Sequence, residues 1–318
     1  MTPDRAAVVA AATASIAQGS QSFAAASRLF APAVREHTWL LYAWCRAADD
    51  ITDGQDHGHD GASLNDTLAI HARLEALTSA ALDGDADVPT PFVALRMLTR
   101  ETRLPRRLID DHLAGFALDA AHWRPEDADD LMRYCYHVAG SVGCMMAVLM
   151  GVDPSDEDTL DRASDLGIAF QLANIARDLV PDAQVGRCYV PMAWLRELGL
   201  DADRIADPSN RATLAIVAAR LVSLARDYRA SARVGAARLA PRCRLAVLAA
   251  DAIYGAIGEK VVRRGERAWN ERVRIGKLGK IGHITTAALC ALRPAAARAR
   301  VDLWRRPGQS EVAAGSRS

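Results

Sequence analysis

Apolar residues recur every three or four positions along most of this chain, the spacing that one buried face of a helix requires. Alternation of apolar and polar residues long enough to form a sheet is absent from the sequence, and no fixed-period repeat is evident. Breaks rich in Gly, Pro and Asp separate the periodic segments. Helices are predicted at residues 6–17, 34–53, 66–82, 91–100, 105–121, 127–150, 208–238 and 243–264, with a further acidic helix following Gly167. The pattern predicts an all-α protein.

Composition supports this class and narrows the range of partners. The chain has 318 residues, half of them hydrophobic, which is enough apolar content for a sizeable core. Its 39 basic and 39 acidic residues balance. Nucleic-acid binding normally shows a basic excess or interleaved aromatic residues, so we expect no nucleic-acid partner.

The cysteines and the N-terminus bear on the compartment. The six cysteines are scattered without a CxxC pair, as is typical of a reduced cytoplasmic protein. The N-terminal alanine-rich segment has one early basic residue and an acidic Asp4, which argues against a secretion signal. No window reaches the apolar length of a membrane span. We therefore expect a cytoplasmic protein, soluble or held peripherally at the inner face of the membrane.

One acidic stripe falls in the helix after Gly167. Gln171, Asn174, Asp178 and Asp182 are three, four and four residues apart, so a helix places them on one face. Apolar residues occupy much of the rest of the helix, which favours burial over a solvated face. Buried carboxylates need a partner or a metal, and oxygen donors of this kind suit Mg²⁺ bridging to phosphates.

A second stripe lies far upstream. Tyr42, Arg46, Asp49 (or Asp50) and Asp53 recur at helical spacing beside apolar residues. Two such helices can face each other across a bundle and hold divalent cations for a diphosphate between them. Arg46 has two interpretations, an intrahelical pair with an aspartate or a clamp on phosphate.

Three motifs carry a family resemblance: YAWCRAADDITD, YCYHVAGSVG and NIARDLVPDAQVGRCYVP. Together they resemble the squalene/phytoene synthase family, most of all its bacterial phytoene synthases, from residue 19 to about residue 275. The resemblance implies a single-domain helical bundle of the isoprenoid-synthase type with a central cavity, over residues 1–290. For residues 291–318 we expect a basic helix, either solvated or lying on a membrane surface, and a disordered tail.

The same resemblance implies a reaction and a set of site residues. Two geranylgeranyl diphosphates would condense head to head through prephytoene diphosphate to phytoene, with two or three Mg²⁺ (or Mn²⁺) ions. The implied metal ligands are Asp49, Asp53, Asn174, Asp178 and Asp182. Arg46 and Tyr134 join these aspartates as implied catalytic residues. The implied substrate-binding residues are Ser20, Ser22, Tyr42, Arg46, Gln171, Asn174, Arg177, Arg187, Tyr189 and Tyr254. No GxGxxG follows a strand, so no nicotinamide cofactor is expected.

Several alternatives stay open at this point. The same scaffold could act on farnesyl diphosphate, giving squalene, hydroxysqualene or dehydrosqualene, or it could be a non-catalytic helical assembly factor. Pro181 departs from the family pattern and predicts a kink between Asp178 and Asp182. Asp119 lies on a third acidic stripe, which we assign to the surface or to a place behind the site. His137 is expected to be a hydrogen-bonded core residue.

Overall fold

The computed structural model describes residues 4–19, 24, 26–52, 64–85, 87–291 and 299–307. Throughout these residues the regular structure is helical, with no strand, and the prediction of an all-α protein is confirmed. The first five helices are α1 (Arg5–Gly19), α2 (Pro32–Thr52), α3 (Leu64–Asp83), α4 (Thr90–Glu101) and α5 (Arg106–Ala120). A continuous helical segment follows, made of α6 (Ala128–Cys135), a π-helical turn (Tyr136–Gly140) and α7 (Ser141–Leu149). The remaining helices are α8 (Glu157–Gln184), α9 (Met192–Glu197), α10 (Arg211–Ala236), α11 (Pro241–Arg264) and α12 (Lys277–Ala291).

Helix α8 is the centre of the fold. It packs against α7, α10, α11 and the π-helical turn, and its buried residues run from Thr159 to Val180. The Asp156 side chain caps its first turn by accepting a hydrogen bond from the Thr159 backbone N–H at 3.1 Å. A helix that is apolar over most of its circumference gains most from a central place in the bundle.

Two glycines let α8 approach its neighbours at backbone distance. A Cβ on Gly167 would lie 2.2 Å from the carbonyl oxygen of Ala139, and one on Gly143 would lie 2.4 Å from that of Ala163. Any side chain at these positions would push the helices apart. Close helix packing is therefore one reason for glycine at these two positions.

The C-terminal segment differs from the prediction. Residues 299–307 are not helical. Arg300 and Arg306 are buried, with 7% and 2% of their side chains exposed, and each forms ion pairs with carboxylates of α8. The expectation of a solvated or membrane-surface helix is thus wrong for this segment, because its charges find acidic partners inside the fold. Residues 292–298 and 308–318 lie outside the described part of the chain, and the domain boundary near residue 290 stays a prediction.

None of the helices in the described ranges is long and apolar enough to cross a membrane.

Candidate active site

A mainly apolar cavity of about 410 Å³ runs along the face of α8. Asn174 and Gln171 line one end of it, and Thr159 and Arg162 line the other. At 1.5 Å per residue, the stretch of α8 from Asn174 to Thr159 is about 22 Å long. Small and apolar side chains of the π-helical turn, α7, α10 and α11 form the other walls. The cavity is therefore long and mainly apolar, and we call the end at Gln171 and Asn174 the mouth.

Each stripe predicted from the sequence contributes a neutral polar residue to this mouth, whereas Arg46, Asp49, Asp178 and Asp182 are not among the residues that line the cavity. Tyr42 of α2 lines the cavity together with Gln171 and Asn174 of α8 and Tyr254 of α11. The Tyr254 ring also stacks on Phe170, with centroids 4.1 Å apart. The structure thus brings four predicted substrate-binding residues together from three helices.

The second acidic motif is organised by arginines. Arg177 donates two hydrogen bonds to the carboxylate of Asp178, one from Nε at 2.9 Å and one from Nη2. Arg272, beyond α11, adds a hydrogen bond of 3.2 Å to Asp178. Burial alone would raise the pKa of Asp178, but these guanidinium groups outweigh it and hold the pKa below its usual value. The arginines therefore favour the ionised form of Asp178. No spacing in the sequence linked Arg272 to this residue.

Asp182 has the opposite electrostatic character. Helix α8 continues through Pro181 to Gln184, so Asp178 and Asp182 lie one turn apart on the same helix. Burial, followed by the neighbouring Asp178 carboxylate, raises the pKa of Asp182 to about 7. Near neutral pH this carboxyl group is poised to exchange its proton for a cation.

A pair of stacked tyrosines lies against Asp119. The Tyr134 and Tyr189 hydroxyls donate to Asp119 Oδ1 at 3.1 and 2.9 Å, and their rings stack with centroids 4.7 Å apart. Burial raises the pKa of both phenols. Asp119 is half-buried and its charge contributes to the raised pKa of Asp182. The sequence left Asp119 either on the surface or behind the site, and the structure places it behind the site. Its helical spacing from the other residues of the third acidic stripe was the sequence feature that pointed to it.

The first acidic motif lies on α2, beyond Tyr42. Arg46 pairs with Asp50 at 2.6 Å, the intrahelical contact considered from the sequence, while Asp49 is exposed. A Cβ on Gly19 would lie 2.2 Å from the Tyr42 hydroxyl. The last residue of α1 therefore lies against Tyr42. Ser20, Ser22 and Asp53 themselves lie outside the described residues.

Two further residues have clear surroundings. His137 is hydrogen-bonded through Nδ1 to the backbone carbonyl of Asp111 at 2.8 Å, and burial lowers its pKa. It is a structural residue, as expected. Arg187 is exposed and lines a small depression with Asp119 and Tyr189, so it lies at the edge of the tyrosine pair rather than in the cavity.

The donor set fits a metal ion shared with a substrate. Asn174, Asp178 and Asp182 present one amide and two carboxylate groups from successive turns of α8. Across the ranges that the structure covers, no three acidic, His or Cys side chains cluster tightly enough to enclose an ion alone. Oxygen donors on one side only are typical of Mg²⁺ completed by phosphate oxygens. The raised pKa of Asp182 agrees with this, since a cation there would replace the proton.

Comparison with known proteins decides the family. A family model described as squalene/phytoene synthase matches residues 16–279. The chain belongs to the squalene/phytoene synthase family. The resemblance stated from the three motifs is therefore confirmed.

Individual members of the family show where this chain falls within it. It is 45% identical to the 15-cis-phytoene synthase of Paracoccus sp. over 94% of this chain and 98% of that protein. It is 43% identical to the phytoene synthase of Pseudescherichia vulneris, over 93% and 97% of the two chains. A dehydrosqualene synthase crystal structure superposes with a TM-score of 0.77 at 25% identity, covering 88% of this chain and 95% of that one.

Proposed function

We propose that this squalene/phytoene synthase family member is a prenyltransferase that joins two geranylgeranyl diphosphates head to head and yields phytoene. The observation that carries the proposal is a long, mainly apolar cavity that ends at Gln171 and Asn174, one turn of α8 before Asp178 and its arginine partners. The high identity to bacterial phytoene synthases over nearly the whole chain supports the twenty-carbon substrate. Its free cysteines support a cytoplasmic location.

The mouth supplies the groups that a departing diphosphate needs. Arg177 and Arg272 converge on Asp178, and guanidinium groups so placed can turn to phosphate oxygens when substrate enters. Tyr42, Gln171 and Asn174 add neutral hydrogen-bonding groups at the same end of the cavity. We propose that these residues, with Arg46 and the Ser20–Ser22 turn, bind the diphosphates.

The carboxylates have a separate task. Asn174, Asp178 and Asp182, with Asp49 and Asp53 from the opposite motif, would hold Mg²⁺ or Mn²⁺ against the diphosphate. Bound there, the metal supplies Lewis-acid stabilisation of the leaving diphosphate. Asp178 would offer a carboxylate whose ionised form the arginines already favour, and Asp182 would exchange its proton for the cation. Negative charge is thus fixed on the protein side before the C–O bond breaks.

The cavity walls govern the steps after ionisation. Loss of the first diphosphate leaves an allylic cation, which the double bond of the second substrate captures. Loss of a proton, for which the released diphosphate is an acceptor, then closes the cyclopropane ring of prephytoene diphosphate. A second ionisation, rearrangement and proton loss give phytoene, and the released diphosphate is a credible acceptor of that proton. The aliphatic lining excludes water from the cations. Tyr134, whose hydroxyl donates to Asp119, would act near the reacting carbons.

Product analysis tests the proposal directly. Purified protein with Mg²⁺ is given geranylgeranyl or farnesyl diphosphate separately, without a nicotinamide cofactor. We expect phytoene from the longer substrate, and its loss in Asp178→Asn. Glu197→Gln is the matched control, because this exposed carboxylate also pairs with an arginine, Arg220, but lies away from the cavity.

Two other outcomes would change the proposal. A thirty-carbon product from farnesyl diphosphate alone would keep the site and replace the substrate, as the likeness to a dehydrosqualene synthase allows. No product from either substrate, together with no Mg²⁺-dependent shift of the melting temperature by diphosphate, would refute the enzyme and favour an assembly factor.

A further inference from the structure

A single charged side chain lines the cavity, at the end opposite the mouth, which we call the far end. Arg162 of α8 lies there beside Gly235 and Leu239, and it is the one charged residue among the described residues that line the cavity. Only 6% of its side chain is exposed. A guanidinium group beside a hydrocarbon-lined space has to keep its polar partners, because a buried charge without them is costly.

Arg162 is anchored on two helices. Its Nε donates to the Asp158 carboxylate of α8 at 3.1 Å, and its Nη1 donates to the Ser231 hydroxyl of α10 at 3.2 Å. A Cβ on Gly235, one turn after Ser231, would lie 2.6 Å from the Cβ of Arg162. Glycine at this position therefore lets the stem of the arginine pass directly against α10. The Arg162 side chain thus crosses from α8 to α10 at the far end.

The carboxylate anchor is stabilised by a second arginine. Arg238 pairs with Asp158 at 2.5 Å and also donates to the Thr159 hydroxyl at 2.7 Å. Partial burial would raise the pKa of Asp158, but Arg162 and Arg238 outweigh it and lower the pKa below its usual value. Asp158 is therefore ionised at neutral pH, and Arg162 keeps a charged partner outside the cavity.

An anchored guanidinium group is a firmer barrier to a hydrocarbon chain than an apolar side chain of similar size. A flexible apolar side chain such as methionine adopts another rotamer and fills whatever space remains. Moving Arg162 aside would instead break its hydrogen bonds to a carboxylate and a hydroxyl next to an apolar space. Hydrogen bonds of charged groups are stronger than neutral ones, and leaving such a group unpaired is costly. A prenyl chain that reaches Arg162 therefore meets a fixed end.

We propose that Arg162, anchored by Asp158 and Ser231, determines the longest prenyl chain that this cavity accepts. The inference rests on the proposed function for the identity of that chain, a geranylgeranyl group. A chain with one more isoprene unit would press its terminal methyl groups against the guanidinium group. The limit is set by the charge and its anchors, and side-chain volume alone does not supply it.

Binding of inert substrate analogues to Arg162→Met tests the proposal. Methionine has a similar size but neither the charge nor the anchors, and folding should tolerate it because Asp158 keeps Arg238 as a partner. The dissociation constants of the twenty-carbon and twenty-five-carbon thiolodiphosphates are measured with Mg²⁺ by titration calorimetry. The longer analogue should bind wild type about tenfold more weakly than the shorter one, and this ratio should fall to about twofold in Arg162→Met.

Two further variants separate charge from other effects. Arg162→Lys keeps a cation that can pair with Asp158, so it should retain more discrimination than Arg162→Met. Arg226→Met is the matched control, because Arg226 of α10 also pairs with a carboxylate, that of Glu259, but does not line the cavity. It should discriminate like wild type. Product analysis adds a second readout: Arg162→Met should form a fifty-carbon hydrocarbon from the twenty-five-carbon diphosphate, and wild type should not.

Several results would overturn the proposal. These are equal binding of the two analogues by wild type, wild-type discrimination in Arg162→Met, equal discrimination in Arg162→Lys and Arg162→Met, or the same loss of discrimination in Arg226→Met. Absence of phytoene from wild type with geranylgeranyl diphosphate would refute the proposed function instead. The binding ratios would still decide the role of Arg162 in that case, because the analogues do not react.

Discussion

Removing Arg300 should expose how the C-terminal segment holds α8. The Arg300 guanidinium donates to both oxygens of Asp165, from Nε at 2.9 Å and from Nη2 at 2.8 Å. Asp165 has no exposed side-chain surface. Breaking a buried pair from one side leaves an uncompensated charge and typically costs about 3–5 kcal/mol. We expect Arg300→Met to lower the unfolding free energy by about 4 kcal/mol, or the melting temperature by about 6 °C for a chain of this length.

The loss should depend on pH in a defined direction. Burial already raises the pKa of Asp165 in the intact protein, against the opposing effect of Arg300, and the variant should raise it further. A carboxyl group whose folded pKa lies above its unfolded value stabilises at low pH, and this stability is lost as pH rises through the folded pKa. The Arg300→Met penalty should therefore be large at pH 8 and shrink as the pH falls, because a protonated Asp165 needs no cation.

Urea unfolding at several pH values measures both effects. Arg305→Met is the matched control, since Arg305 is an exposed arginine of the same segment. Adding Asp165→Asn to Arg300→Met should recover part of the lost stability, because the buried charge is removed. A penalty under about 1 kcal/mol, a penalty independent of pH, or additive losses in the double variant would refute the reasoning.

Three further outcomes are expected. Burial lowers the pKa of His112 to about 4, so the unfolding free energy should fall by about 3 kcal/mol between pH 6.5 and pH 4. Urea unfolding of His112→Gln should show a flatter dependence on pH over this range, and an unchanged slope would contradict the prediction. Asp119→Asn should lower kcat by about tenfold or more with less effect on KM, because the hydroxyls of Tyr134 and Tyr189 lose a charged acceptor. Steady-state kinetics measures both constants, and a change in KM alone would argue against this prediction. Ala246→Phe should narrow the end of the cavity opposite the mouth. It should reduce turnover of geranylgeranyl diphosphate about tenfold more than that of farnesyl diphosphate. Equal losses in a competition assay would show that this end of the cavity does not select substrates by chain length.

The helices and the acidic face of α8 could be predicted from the sequence because both are local. Hydrophobic periodicity sets which side of each helix is buried. The spacing from Gln171 to Asp178 fixes which polar groups share a face, whatever the rest of the fold does. That Tyr42 and Tyr254 both belong to the site was predicted from the family resemblance alone. Nothing in their local spacing relates α2 to α11.

The contacts that the sequence did not reveal join residues far apart in the chain. Arg272 reaches Asp178 across 94 positions, and Arg300 reaches Asp165 across 135. Neither pair has a periodic signature, so a run of arginines could be interpreted as solvated. The aspartates that pair with these arginines did have a recognisable pattern in the sequence. Asp161 and Asp165 lie one turn apart on a largely buried helix, and buried carboxylates require partners.

The buried pairs explain more about orientation than about stability. A buried ion pair often contributes little compared with apolar residues of the same volume, and its firmer effect is to favour one arrangement over others. Asp161 and Asp165 form ion pairs with Arg306 and Arg300 on one side of α8, while Asn174 lies further along the same helix at the mouth. A helix is rigid about its axis, so a rotation that broke these pairs would also turn Asn174 away from the cavity. The arginines of residues 299–307 thus help to set which face of α8 meets the substrate, although they lie far from the chemistry.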